Sequence, residues 1–92
     1  MVKKIYKYEA LDGASKFEIL MPKEAEILTV QIQRGKTYFW ALVDPDAQKE
    51  ARFFERVMTG ASIYEGMGVE RKYIGTVQLH AGDLVYHLFE RI

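Results

Sequence analysis

The chain contains no cysteine. That absence excludes disulfide frameworks, thiolate zinc centres and cysteine nucleophiles together. A secreted domain this small commonly needs covalent staples, so an intracellular home fits better. Net charge is also missing, because 13 basic and 13 acidic side chains cancel. No long-range field therefore steers the protein towards duplex nucleic acid or an anionic membrane, and neither is an expected partner. Histidine is scarce: His80 and His87 stand apart, without HxxxH or HxE spacing, which is a poor basis for a metal site. There is no run of about 18 apolar residues to span a membrane. The opening MVKKIYKYEAL also lacks the apolar core of a signal peptide.

What is present is apolar material in short runs. At 92 residues and 49% hydrophobic, residues 1–92 are long enough for one domain with one core. The stretch from Glu26 to Pro45, EILTVQIQRGKTYFWALVDP, organises the rest. Two β-rich runs, Ile27–Gln33 and Lys36–Val43, meet at Arg34-Gly35, and a short glycine-containing joint between such runs closes an antiparallel hairpin. A two-residue loop pairs Val30 with Phe39 and Thr29 with Trp40, leaving Thr29, Gln31, Tyr38 and Trp40 on one mixed face. A three-residue loop, Gln33-Arg34-Gly35, pairs Val30 with Tyr38 and Leu28 with Trp40. The second spares Arg34 a left-handed backbone and is slightly preferred, although a one-residue slip exchanges the faces and the sequence alone does not choose. Whether Trp40 is core or surface stays open with it.

Before this hairpin, Ile5–Leu11 and Lys16–Met21 alternate as strands around an Asp12-Gly13 turn, and Pro22 closes the second. After it the signals conflict. Asp44 as cap, Pro45 in the first turn, AQKEARFFERVM and Gly60 as a stop compose a helix with Ala47, Ala51, Phe54 and Met58 along one side. Read as a strand, Arg52–Thr59 alternates poorly, so local propensity favours the helix. Gly60–Gly68 is a glycine-rich loop. Arg71–His80 and Asp83–Ile92 then form a closing hairpin that sets Leu79 against Leu84, Val77 against Tyr86, Gly75 against Leu88 and Thr76 against His87.

Reactive constellations are sparse. Ser15 and Ser62 lie in turn-like stretches outside any GxSxG elbow, and Asp44 with Asp46 reads as turn chemistry. The glycines of 60–68 do not follow GxGxxG, so a phosphate cradle has little support. The surface worth naming is a mixed one: Gln31, Tyr38, Trp40, Thr76 and His87, with Arg52 and Arg56 as neighbours. Aromatic rings beside amide and guanidinium donors suit a flat polar ligand, and equally a protein interface.

Several segments in order carry a resemblance: KYEA near the start, MPKEAEILTVQIQRG at 21–35, WALVDP at 40–45, the pair Thr59-Gly60, YIGTVQL at 73–79 and LVYHLFE at 84–90. Together they resemble a family of small uncharacterised β domains encoded by bacteriophages and prophages. The resemblance implies a strand rather than a helix before Thr59-Gly60, adds Thr59 and Gly60 to the candidate ligand-binding set, and implies a phage setting in the host bacterial cytoplasm. It brings no activity. Where many members resemble TG-H, this chain has Ala61 after Gly60, so no histidine role is carried there.

The expected fold is a mainly β domain of six or so antiparallel strands: a small sheet, a sandwich or a half-open barrel built from hairpins, with room for one short helix after Pro45. The expected function is non-enzymatic, without cofactor or metal. It is that of a phage accessory protein interfering with host antiviral defence by sequestering a small nucleotide-like signal; the alternative is an interaction module that blocks a host protein or serves in particle assembly. A homo-oligomer is expected in either case, since exposed apolar area is most readily hidden by a symmetric partner.

Overall fold

The computed structural model describes residues 1–11, 13–66 and 68–92. Among them are seven strands: β1 (Lys4–Glu9), β2 (Lys16–Pro22), β3 (Glu26–Gln33), β4 (Lys36–Val43), β5 (Lys49–Met58), β6 (Arg71–Leu79) and β7 (Leu84–Arg91). They form two antiparallel sheets, a small one in the order β1-β4-β3 and a large one in the order β2-β5-β7-β6. The sheets are separate and no closed barrel forms. The Asp12-Gly13 turn falls partly on Asp12, outside the described residues, and Met67 in the glycine-rich 60–68 connection is outside them too.

Residues directly opposite in an antiparallel pair share a face. In the small sheet Tyr8, Phe39 and Val30 lie in one row and face inwards. In the large sheet Phe17 and Phe54 form a pair, as do Gly75 and Leu88. The inner faces meet where Phe39 stacks on Phe54 at 4.8 Å and on Phe17 at 6.2 Å. Met21, Val43, Val77 and Leu88 complete the buried cluster around these rings.

The segment after Pro45, which local propensity reads as a helix and the resemblance implies to be a strand, is a strand. Asp44 does act locally, accepting the Asp46 amide at 3.0 Å, but the bond closes a turn rather than capping a helix. β5 then runs between β2 and β7. Its alternation reads poorly because Arg52, Glu55 and Arg56 are shielded by neighbouring strands rather than solvated. Inward-facing Arg52 meets Glu90 of β7, and outward-facing Glu55 meets Arg71 of β6 and Arg91 of β7 at 3.1 and 3.5 Å.

The central hairpin closes with the two-residue loop, against the slight preference for three. Val30 pairs with Phe39 and Thr29 with Trp40. Arg34 and Gly35 both take positive φ, 52° and 78°, as a tight turn with the strands' own twist demands. The core decides this register, because the slipped alternative would turn Phe39 away from Phe54. The closing hairpin pairs as expected from Leu79–Leu84 to Gly75–Leu88, through a single 3-10 turn at His80–Gly82. A bulge at Ile74 then brings Tyr73, rather than Ile74, opposite Phe89.

β3 and β6, each at the edge of its sheet, pass close to one another. Gly75 permits this: a Cβ there would lie 2.8 Å from Val30 Cγ1. Gly75→Ala is accordingly expected to destabilise by about 1–3 kcal/mol through overpacking. In urea unfolding, combining it with Val30→Ala should cost less than the sum of the single changes, because the second substitution removes the methyl that clashes.

Candidate functional site

Two bulges face each other at this β3–β6 junction, one at Leu28 and one at Ile74. Bulges re-aim side chains and interrupt pairing, and they gather near sites. Here they flank a cleft of about 250 Å³ whose walls include Glu26, Leu28, Lys72, Tyr73 and Ile74, with Arg52 and Glu90 beneath. Arg52 is held on three sides. Its Nε and Nη2 donate to the two Glu90 oxygens, the latter at 2.9 Å, and its Nη1 donates to the Ala25 carbonyl at 2.9 Å. The Glu90 hydrogen bond raises the guanidinium pKa above its ordinary value, against the lowering that burial imposes. The cleft therefore has a fixed base in which each guanidinium nitrogen of Arg52 makes a hydrogen bond, with Lys72 and Glu26 as its exposed charges.

Tyr73 joins the cleft to a second feature. Its hydroxyl lies 2.6 Å from Thr76 Oγ1, which lies 2.8 Å from His87 Nδ1, and His87 Nε2 lies 2.8 Å from Thr59 Oγ1. Strand geometry builds the chain: Thr76 is opposite His87 across β6 and β7, and Val57, opposite His87 on the other side, leads into Thr59. In a neutral imidazole one ring nitrogen donates and the other accepts, so the two threonines play opposite roles. Among the described residues both ring nitrogens of His87 are taken up by threonine hydroxyls. What the chain offers is a set of pre-positioned donors and acceptors next to an exposed phenol ring. Tyr73 in turn packs edge-on against Phe89 at 5.6 Å.

The expected site residues separate into three places. Thr59, Thr76 and His87 come together in the chain, with Gly60 following Thr59. Arg52 lies under the cleft. Gln31, Tyr38 and Trp40 are on the outer face of the small sheet, where Gln31 is opposite Tyr38 and Trp40 is half-buried between Lys7 and Thr29. There Lys7 Nζ lies 4.5 Å over the Tyr38 ring and donates to Gln33 at 3.0 Å. Trp40 is thus not part of the inner core, and it does not line a common cavity with His87. Arg56 is on neither surface; it points inwards between Phe17 and Tyr86. Tyr73, Lys72 and Glu90 carry no signal of their own in the sequence. Only the bulge at Ile74, which no local pattern announces, puts Tyr73 beside both the cleft and Thr76.

The fold and the cleft define a small two-sheet antiparallel β domain with an open polar surface site at the junction of its sheets. A family model for a domain of unknown function, DUF7352, matches residues 1–92, and the chain belongs to that family. Neither a curated protein nor a solved structure matches it.

Arg52 and Glu90 give the site its base, and the pair is mostly shielded from water, with side-chain exposures of 17% and 12%. Glu90→Gln is expected to cost about 2–3 kcal/mol in chemical unfolding, as hydrogen bonds to charged groups do when one partner is neutralised. Arg52→Lys should not preserve stability, because an ammonium cannot reproduce the forked contact with both carboxylate oxygens.

Proposed function

We propose that this is a non-enzymatic, phage-encoded accessory protein that acts by binding inside the infected bacterium, interfering with host antiviral defence by holding a small nucleotide-like signal. The observation that carries this reading is the junction at Tyr73, a residue that lines the charged cleft and whose exposed ring, on the outer face, begins a chain of hydroxyl and imidazole groups. A flat heterocycle needs an apolar face to lie on and edge-on hydrogen-bonding partners, and stacking on an aromatic ring is worth about 1–3 kcal/mol per base. Lys72 supplies a cation for a phosphate on such a ligand. The phage setting rests on the sequence resemblance.

A second reading has its own support. Leu20 and Phe53 lie on the outer side of the large sheet, 62% and 50% exposed, and Tyr64 in the following connection is 69% exposed. Exposed apolar rows of this kind suit a protein partner or a second copy of the chain. Under this reading the protein blocks a host protein or serves in particle assembly.

A thermal-shift screen separates the two. With a cyclic dinucleotide or ADP-ribose derivative at about 100 times Kd, linkage predicts a rise in Tm of about 10 °C or more. Tyr73→Ala and His87→Ala should abolish the rise, and Trp40→Ala should leave it intact. A flat response across these nucleotides, combined with capture of a defined host protein that Phe53→Ser prevents, would replace the first reading with the second.

A further inference from the structure

Arg56 lies on the inner side of β5, separated from Arg52 and the cleft above it by Phe54. Its guanidinium sits between two rings, 5.4 Å from the Phe17 centroid and 5.3 Å from the Tyr86 centroid. Nη1 donates to the Ala14 carbonyl at 3.3 Å, while Nη2 is buried and has no hydrogen-bond partner among the described residues. The residue as a whole is only 9% exposed. A cation shielded to this degree with an unused N–H₂ group is costly, since a buried donor left unpaired forfeits its full desolvation energy.

The surroundings supply room for an acceptor. Two adjoining clefts, of about 200 and 210 Å³, share Gly13, Arg56 and Tyr86 as lining residues. One opens along Ala14 and Ser15, and the other continues past Gly35, Thr37, His80 and Leu84. They form one groove at the end of the molecule where the β1–β2, β3–β4 and β6–β7 connections converge. No acidic side chain is among the described residues that line it. Leu79, Leu84 and the Tyr86 ring make much of the wall apolar. Each cleft is smaller than the roughly 300 Å³ at which sites for drug-sized ligands begin.

We propose that this groove, floored by Arg56, is a binding site for a small organic oxyanion: a phosphate or carboxylate group carried on a compact aromatic or apolar body. The two rings hold the guanidinium plane in place, so that its unpaired N–H₂ group needs little reorientation to take an oxygen ligand. The charged group meets the guanidinium where Arg56 lines the groove, a small shift of its neighbours uncovering Nη2, and the body of the ligand lies along Tyr86 and Leu84. The site uses no residue of the Tyr73–His87 chain, so it stands or falls independently of the function proposed above.

The test is an amide chemical-shift titration of the whole chain with phenyl phosphate, with benzoate, and with benzamide as the uncharged analogue. Saturable shifts at Gly13, Gly35 and Thr37 are expected with at least one of the anions and not with benzamide. The tighter anion identifies the phosphate or the carboxylate as the preferred group. Arg56→Gln should weaken binding by about tenfold or more, the usual consequence of losing a charge-assisted hydrogen bond. Leu84→Trp fills the groove while leaving Arg56 itself in the chain and should abolish the shifts, which keeps the test decisive where Arg56→Gln does not fold. The proposal is overturned if neither anion produces saturable shifts at these amides, if benzamide matches them, or if Leu84→Trp binds as the unaltered chain does.

Discussion

The stack of Phe39 on Phe54 is the contact on which the remaining structure depends. These rings, 4.8 Å apart, belong to different sheets, and Phe17 closes the group from the neighbouring strand. Truncating a buried phenylalanine generally costs about 3–5 kcal/mol, a large share of the stability of a domain this small. The stack also fixes orientation. With Phe39 turned inwards, Tyr38 and Trp40 must face outwards, and with Phe54 inwards, Glu55 must lie on the opposite side of the large sheet. Gly75 performs the complementary task at the sheet margins, where its missing side chain lets β6 approach Val30 of β3.

β5 shows how a strand with many charged residues can be central. Arg52, Glu55 and Arg56 alternate across its two faces, and each has a dedicated environment: Glu90, the Arg71–Arg91 pair, and the Phe17–Tyr86 ring clamp. Desolvating ions is expensive, and such pairs contribute little net stability compared with apolar replacements. What they give this sheet is register. A one-residue slip of β5 against β7 would move every one of these groups to the wrong face and strand it without a partner. Stability from the rings and register from the ions are thus separate contributions.

The same division places the functional surfaces. Once rings and ion pairs occupy the interior, polar chemistry remains at the sheet junction and at the turn end. At the junction, paired bulges open the cleft and swing Tyr73 into reach of Thr76, extending a chain of hydrogen bonds to His87 and Thr59. At the turn end, glycines and tight connections leave space over Arg56. The Trp40 face of the small sheet is a third surface, aromatic and basic, held together by Lys7 over Tyr38.

Much of the architecture follows from local pattern alone. Alternating β-branched and aromatic residues mark six of the strands, and the Ala81-Gly82 turn sets the closing register through Thr76–His87, because side-chain period and turn length are properties of contiguous residues. Partnership across the fold is not. The segment 49–58 looks helical until Glu90, Arg71 and Arg91 arrive from distant strands to neutralise its charges. The Arg34-Gly35 loop length is settled only by which face Phe54 needs, and Tyr73 joins the site only through a bulge. The chain determined its elements because those depend on neighbours in sequence. Tertiary structure alone decided which charges could be buried, which face Trp40 would take and where a ligand could fit, because each of these depends on residues brought together from different strands.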